Sequence, residues 1–244
     1  MTKAKPFTAV RGIKMGIALG VALIGASHYL GGPDAAQEPE FQISTIQLND
    51  GRNLKVQTRE VTVAQWQACH AAGFCTLDLS LRPQTVDYPA TGLSFPDAME
   101  YVNWLNTTTK GQWRLPTSAE WQELAAEVLP QKPDPIFTDP SLTWASAYLT
   151  DANGTGRTLR PSGAFTATSA GIEDLDGNVW EWTQDCYAGA SGQGAANGSD
   201  RCPAFIMGGE HEAVMSYLVR DPARGGCAVG SPPAHLGMRL VSDR

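Results

Sequence analysis

Histidine and cysteine are scarce in this chain, with four and five copies among 244 residues. Neither a CxxC nor an HxxxH spacing occurs, which removes the common zinc signatures. Positive charge is also short. The formal net charge is −7, and the only basic clustering is Lys3, Lys5, Arg11 and Lys14 at the start, so no stripe exists to neutralise nucleic-acid phosphates. Gly and Pro recur without a period, which excludes a fibrous chain. Nothing in the middle reads as a flexible linker between two cores, so one domain behind an N-terminal extension is expected.

A single long apolar run is present, IKMGIALGVALIGASHYL at residues 13–30. Eighteen residues is the short end for a spanning helix. Basic residues before it and Asp34, Glu38 and Glu40 after it give a positive-inside orientation. The expected layout is therefore a cytoplasmic terminus 1–12, a transmembrane anchor 13–30, a polar tether 31–40 and a domain 41–244 outside the cytoplasm, at the periplasmic face of a bacterial inner membrane. A cleaved signal peptide is the rival reading, although its best cleavage point, before Gln37, has Asp34 three residues back.

Five cysteines in an exported chain imply two disulfides and one left over. Cys69 with Cys75 and Cys186 with Cys202 each close a local loop and are the expected pairs, with Cys227 unpaired. Alternating apolar residues around Asn49-Asp50-Gly51 predict a hairpin over 41–56. Three capping signatures predict helices. Thr62 with Gln65 starts one over Val63–Ala72, Ser94 with Asp97 one reaching about Asn106, and Thr117 with Glu120 one whose apolar stripe is Trp121, Leu124, Ala125 and Val128. Residues 130–168 lack periodicity, and Ala204–Met207 and Met238–Val241 read as short extended pieces. The class is α+β with much irregular chain, packed around some of the seven tryptophans.

Several motifs occur in order: REVTVAQW (Arg59–Trp66), YPATGLSFPDAMEYVNWLN (Tyr88–Asn106), WRLPTSAEW (Trp113–Trp121), GNVWEWTQD (Gly177–Asp185), Gly208-Gly209 and LGMRLV (Leu236–Val241). Together they resemble the formylglycine-generating enzyme, or sulfatase-modifying factor, family. The resemblance implies a modified C-type-lectin-like α+β fold. It also implies a structural calcium ion held by the side chains of Asp174 and Glu181 and the backbone carbonyls of Gly177 and Val179, hard oxygen donors of the kind calcium takes. In DLDGNVWEWTQD, Trp180 and Trp182 then read as core anchors, and the stretch as a structural clip.

The family's catalytic patterns are missing. Its copper-dependent members hold Cu(I) with two cysteines shortly after the paired glycines. Here no cysteine lies between Gly209 and Arg224, and Cys227 alone follows, so no copper is expected. The non-haem iron members use three histidines, partly from an additional domain. This chain offers only His28, His70, His211 and His235. In place of the usual residues after the glycines stands Glu210-His211-Glu212, a candidate proton relay or N/O metal site with His235, against the blander reading of a solvated charged turn. Arg220, Arg224 and Arg239 are candidates either to line a cleft for an acidic peptide or to satisfy buried carbonyls.

The expectation is a membrane-anchored periplasmic binding, assembly or maturation factor for an exported redox enzyme or membrane complex, with a protein partner and no nucleic acid. The alternative is a divergent oxidoreductase acting on a peptide or protein through Glu210, His211 and Glu212. Sugar binding rests on fold analogy alone and ranks last.

Overall fold

A computed structural model describes residues 1, 41–80, 85–129, 136–139, 142, 145, 149, 158–187, 202–210, 213–222 and 234–243. The expected anchor 13–30 and tether 31–40 lie outside these residues. No helix among the described residues is long and apolar enough to cross a membrane. The chain divides into units Met1–Ala35 and Ala36–Arg244, and the elements below belong to the second.

The expected hairpin is present. Strands β1 (Ile43–Gln47) and β2 (Asn53–Gln57) pair antiparallel around a turn closed by Leu48 N–H to Arg52 O at 2.8 Å. Gly51 sits there at φ 87°, a conformation open to glycine at no steric cost. The three helices begin where their caps place them. Helix α1 is Val63–Ala71, α2 Phe95–Thr109 and α3 Ser118–Ala125, each with a complete capping box. Helix α2 outlasts its expected end near Asn106. The hydroxyls of Thr107 and Thr109 donate to the carbonyls of Asn103 and Leu105, each at 2.8 Å, so these residues continue the helix until Lys110 caps it at φ 53°. Helix α3 stops short of Val128, which still packs on the core from a following turn.

The C-terminal expectation is corrected by the structure. Met238–Val241 is not one extended piece. Strand β6 (Leu236–Gly237) and strand β7 (Val241–Ser242) flank it and belong to different sheets, ordered β1-β2-β7 and β5-β4-β3-β6. The chain changes sheets at Met238–Leu240, where the Arg239 side chain turns inward and is 0% exposed. In the second sheet, β3 (Trp180–Cys186) is central. It pairs antiparallel with β4 (Ala204–Gly208) and parallel with β6, and β4 pairs antiparallel with β5 (Ala213–Ser216).

Two apolar clusters form the core. One gathers Trp66, Trp104, Trp182, Tyr101 and Leu105 between α1, α2 and the second sheet, and the other gathers Trp121, Leu54, Val56, Ile172 and Val241 beside the first. Trp182 is fully buried, donates its indole N–H to Leu93 O at 2.8 Å and meets Phe95 edge-on. The disulfides Cys69–Cys75 and Cys186–Cys202 are both formed, which accounts for four of the five cysteines in the sequence.

Candidate functional site

The segment Asp174–Glu181 folds as a clip whose turns are set by its polar residues. Asp174 and Asn178 adopt left-handed backbone, φ 67° and 64°, which short polar side chains tolerate by hydrogen-bonding locally. The Asp174 carboxylate accepts the backbone N–H of Gly163 and, at 2.8 Å, that of Phe165. Asp176 accepts from Thr166 N–H at 3.1 Å, and Asn178 from Arg160 N–H at 3.0 Å. A Cβ on Gly177 would lie 2.3 Å from the Phe165 ring, so glycine is required for the loop to close against that ring. The clip thereby fastens 160–166 to the start of β3.

Strand β3 then turns Glu181 inward. Its carboxylate, 1% exposed, accepts the indole N–H of Trp121 at 2.8 Å and pairs with Arg239 through Nε and Nη2 at 3.1 and 3.0 Å. The guanidinium spends its other donors on backbone oxygens: Nη1 on Gln57 and Thr58 at 3.0 and 2.7 Å, and Nη2 on Glu173 at 2.7 Å. Of the two roles weighed for Arg239, satisfying buried carbonyls is the one the structure shows. Through it the end of β2, the clip and β3 are tied to one buried cation.

Glu60 lies in the same buried region and did not stand out in the sequence. It is 1% exposed, and neither carboxylate oxygen has a hydrogen-bond partner. Burial pushes its carboxyl well above the usual range; Arg239 opposes that shift, and Asp174 and Glu181 add to it. Strand β2 ends at Gln57 and the chain bends over 58–59, so no strand period reaches Glu60 to mark it in the sequence.

The two carboxylates expected to hold calcium are engaged by protein donors, Asp174 by the amides of Gly163 and Phe165 and Glu181 by Arg239 and Trp121. Asp174 and Glu181 are both buried, and Val179 beside them is 3% exposed. No group of three or more His, Cys, Asp or Glu among the described residues is placed to hold a metal.

At the end of β4, indole rings cover the paired glycines. A Cβ on Gly208 would stand 2.3 Å from the Trp121 ring, and one on Gly209 the same distance from Trp180. Glu210 follows, exposed, while His211 and Glu212 lie outside the described residues, as do Arg224 and Cys227. The His235 carbonyl accepts from Trp180 N–H at 3.0 Å, and the strand pairings bring His235 to the same end of the sheet as Glu210. Arg220 is engaged elsewhere, pairing with the α2 capping acid Asp97 at 2.6 and 2.7 Å. Its guanidinium, with Ser94, holds the Asp97 carboxyl below the usual range although burial pushes it up. A cavity of about 350 Å³ opens beside Phe41, Gln42, Thr58, Arg59, Thr62 and Gln65. Arg59 at this cavity pairs with Glu173 at 2.5 Å.

The family model described as sulfatase-modifying factor enzyme 1-like domain matches residues 20–244. The formylglycine-generating enzyme of Mycobacterium tuberculosis (strain ATCC 25618 / H37Rv) is 27% identical over 180 residues, 64% of this chain and 58% of that protein. The corresponding enzyme of Thermomonospora curvata is 28% identical over 199 residues, 74% of this chain and 62% of that protein. Each match thus spans less than two thirds of the relative's length. Hercynine oxygenase of M. tuberculosis is 35% identical over 104 residues, 40% of this chain and 22% of that protein. Among solved structures, PvdO from Pseudomonas aeruginosa shares the fold, with a TM-score of 0.51 at 19% identity, covering 78% of this chain and 80% of that one. With the family model spanning nearly the whole chain, the protein belongs to the sulfatase-modifying factor family typified by the formylglycine-generating enzyme.

Proposed function

We propose that this protein uses the family fold as a binding and assembly platform, anchored in the bacterial inner membrane by residues 13–30 with its domain in the periplasm. It serves the maturation or stabilisation of an exported redox enzyme or membrane complex and does not act as a copper-type formylglycine-generating oxidase. The observation that carries this reading is the cysteine account. Four of five cysteines are spent in two disulfides, so one thiol remains where Cu(I) chemistry of the family's kind needs a pair of thiolates. The apolar run and its flanking charges support the anchor. The clip is closed by its own hydrogen bonds, and the structural calcium that the resemblance implies at Asp174–Glu181 would have to displace Arg239 and Trp121 from Glu181.

The experiment is site-specific photo-crosslinking of the full chain in intact cells, with probes at exposed positions on the domain, combined with protease protection in spheroplasts. The reading expects a protease-accessible domain and one recurrent protein adduct that survives competition by other envelope proteins. A protected domain, or copper near one per chain in the purified protein, overturns it. In the latter case Glu210, His211 and Glu212 become the residues to change, as the oxidoreductase alternative requires.

A further inference from the structure

The two sheets described end in the edge strands β1, β7, β5 and β6, and all but β1 are covered. Strand β7 exchanges backbone bonds with Arg114, at 2.9 Å each way through Val241. On β6 the Leu236 carbonyl accepts Gly92 N–H at 3.1 Å. Strand β5 is buried along Ala213, Val214 and Met215, none more than 1% exposed. Strand β1 differs. Gln42 O accepts Thr58 N–H at 3.0 Å and Leu48 N–H donates to Arg52 O at 2.8 Å, so with Ser44 opposite Val56 and Ile46 opposite Leu54 the even-numbered residues bond to β2. Ile43, Thr45 and Gln47 therefore turn their N–H and C=O groups to the open side. No described residue pairs with that side. The same residues are exposed while Ser44 and Ile46 are half-buried, and Ile43 leaves 46% of its surface in water. Edge strands ordinarily carry a Lys, a Pro or a bulge that discourages further pairing. ISTIQ has no charge and no Pro, and its register with β2 runs without a shift.

We propose that β1 is a self-pairing edge: two copies of this chain join antiparallel about Thr45, so that the sheet β1-β2-β7 of one continues into that of the other across a two-fold axis. In that register Thr45 stands opposite its counterpart in the second copy, Ile43 opposite Gln47 and Ser44 opposite Ile46. Each outward N–H and C=O meets its complement, and Ile43 is withdrawn from water. What selects a second copy as the occupant is that the strand is its own complement. The two-fold returns the same outward set of groups, and no charged side chain faces another across the seam. The charge opposite Thr45 within the hairpin is Lys55 on β2. The two Lys55 side chains would lie three strand spacings apart, about 14 Å, beyond the Debye length of about 8 Å. The pairing is independent of the anchor and of the protein partner proposed above.

The test is light scattering of the full-length protein in detergent over a concentration series, with Thr45→Lys and Thr45→Glu each alone and the two mixed. Wild type should form a dimer. Each variant alone sets like charges opposite one another on the axis, which is unfavourable in a directly facing pair, and should dissociate at least about tenfold more readily. Thermal unfolding checks the fold. T45E gains Lys55 as a cross-strand partner, so it remains informative should T45K loosen the hairpin. Mixing T45K with T45E should restore the dimer. A wild type that stays monomeric at every concentration overturns the proposal and leaves the edge to a strand of another protein. A dimer that persists equally in both variants overturns it by placing the contact elsewhere. Failure of the mixture to restore the dimer overturns the register about Thr45, and a trimer or larger wild-type assembly overturns the two-fold.

Discussion

Arg239 is the residue on which the two halves of the core meet. Replacing it removes the partner of a fully buried carboxylate and the donors of three backbone carbonyls. Breaking such a pair costs about 3–5 kcal/mol. Even R239K should show most of that loss in urea denaturation, because a lysine cannot reproduce the planar fork; a change near zero would mean that the network contributes nothing. A second residue-scale prediction concerns pH. Burial pushes the Glu120 carboxyl up, but hydrogen bonds from Arg114 and from the Thr117 amide, with help from Arg52, bring it down to about 2. A folded value depressed in this way stabilises the protein above the unfolded value near 4.5 and is lost as pH falls through about 2. Glu120→Gln, which keeps an acceptor in the capping box, should flatten the fall in stability between those limits. An unchanged acid limb would contradict the ion pairing.

At the scale of elements, local rules wrote the helices, the first hairpin and β4, and tertiary constraints wrote β3 and the C-terminal strands. Thr117→Ala should cost about 1 kcal/mol by removing the cap of α3, measured as a shift of the denaturation midpoint at constant slope. Gly209→Ala places a methyl group into the Trp180 ring and should cost about 1–3 kcal/mol as overpacking, with a change in tryptophan emission that marks the displaced ring. All three helix starts were legible because a capping box is contained in four consecutive residues. Strand β3 was not read as a strand. Its buried Glu181 and Thr183 break the apolar alternation of a half-buried strand, and their partners, Arg239 and the Ile206 carbonyl, come from distant segments. The split of Met238–Val241 was hidden for the same reason, since nothing local announces that Arg239 is drawn inward. Glu60 follows a bend after β2, so its burial is visible only in three dimensions.

For the whole molecule, the family's framework is retained, and the proposal that it works without copper chemistry rests on its cysteines. The disulfides close short loops on α1 and between β3 and β4, and opening Cys186–Cys202 by paired serine substitution should cost about 2–4 kcal/mol, read as a fall in the unfolding midpoint with the fold intact. Cys227 is then the one thiol in the sequence outside a disulfide, and on it the claim of a binding platform stands against that of a copper oxidase. The most direct measurement is turnover: the full-length protein, loaded with Cu(I) and supplied with oxygen and a reductant, incubated with a cysteine peptide of the sulfatase type and followed by mass spectrometry. The account predicts that the peptide cysteine survives unchanged at enzyme concentrations where a copper-loaded relative converts it. Conversion of that cysteine to the aldehyde by this chain, abolished by Cys227→Ser, would contradict it.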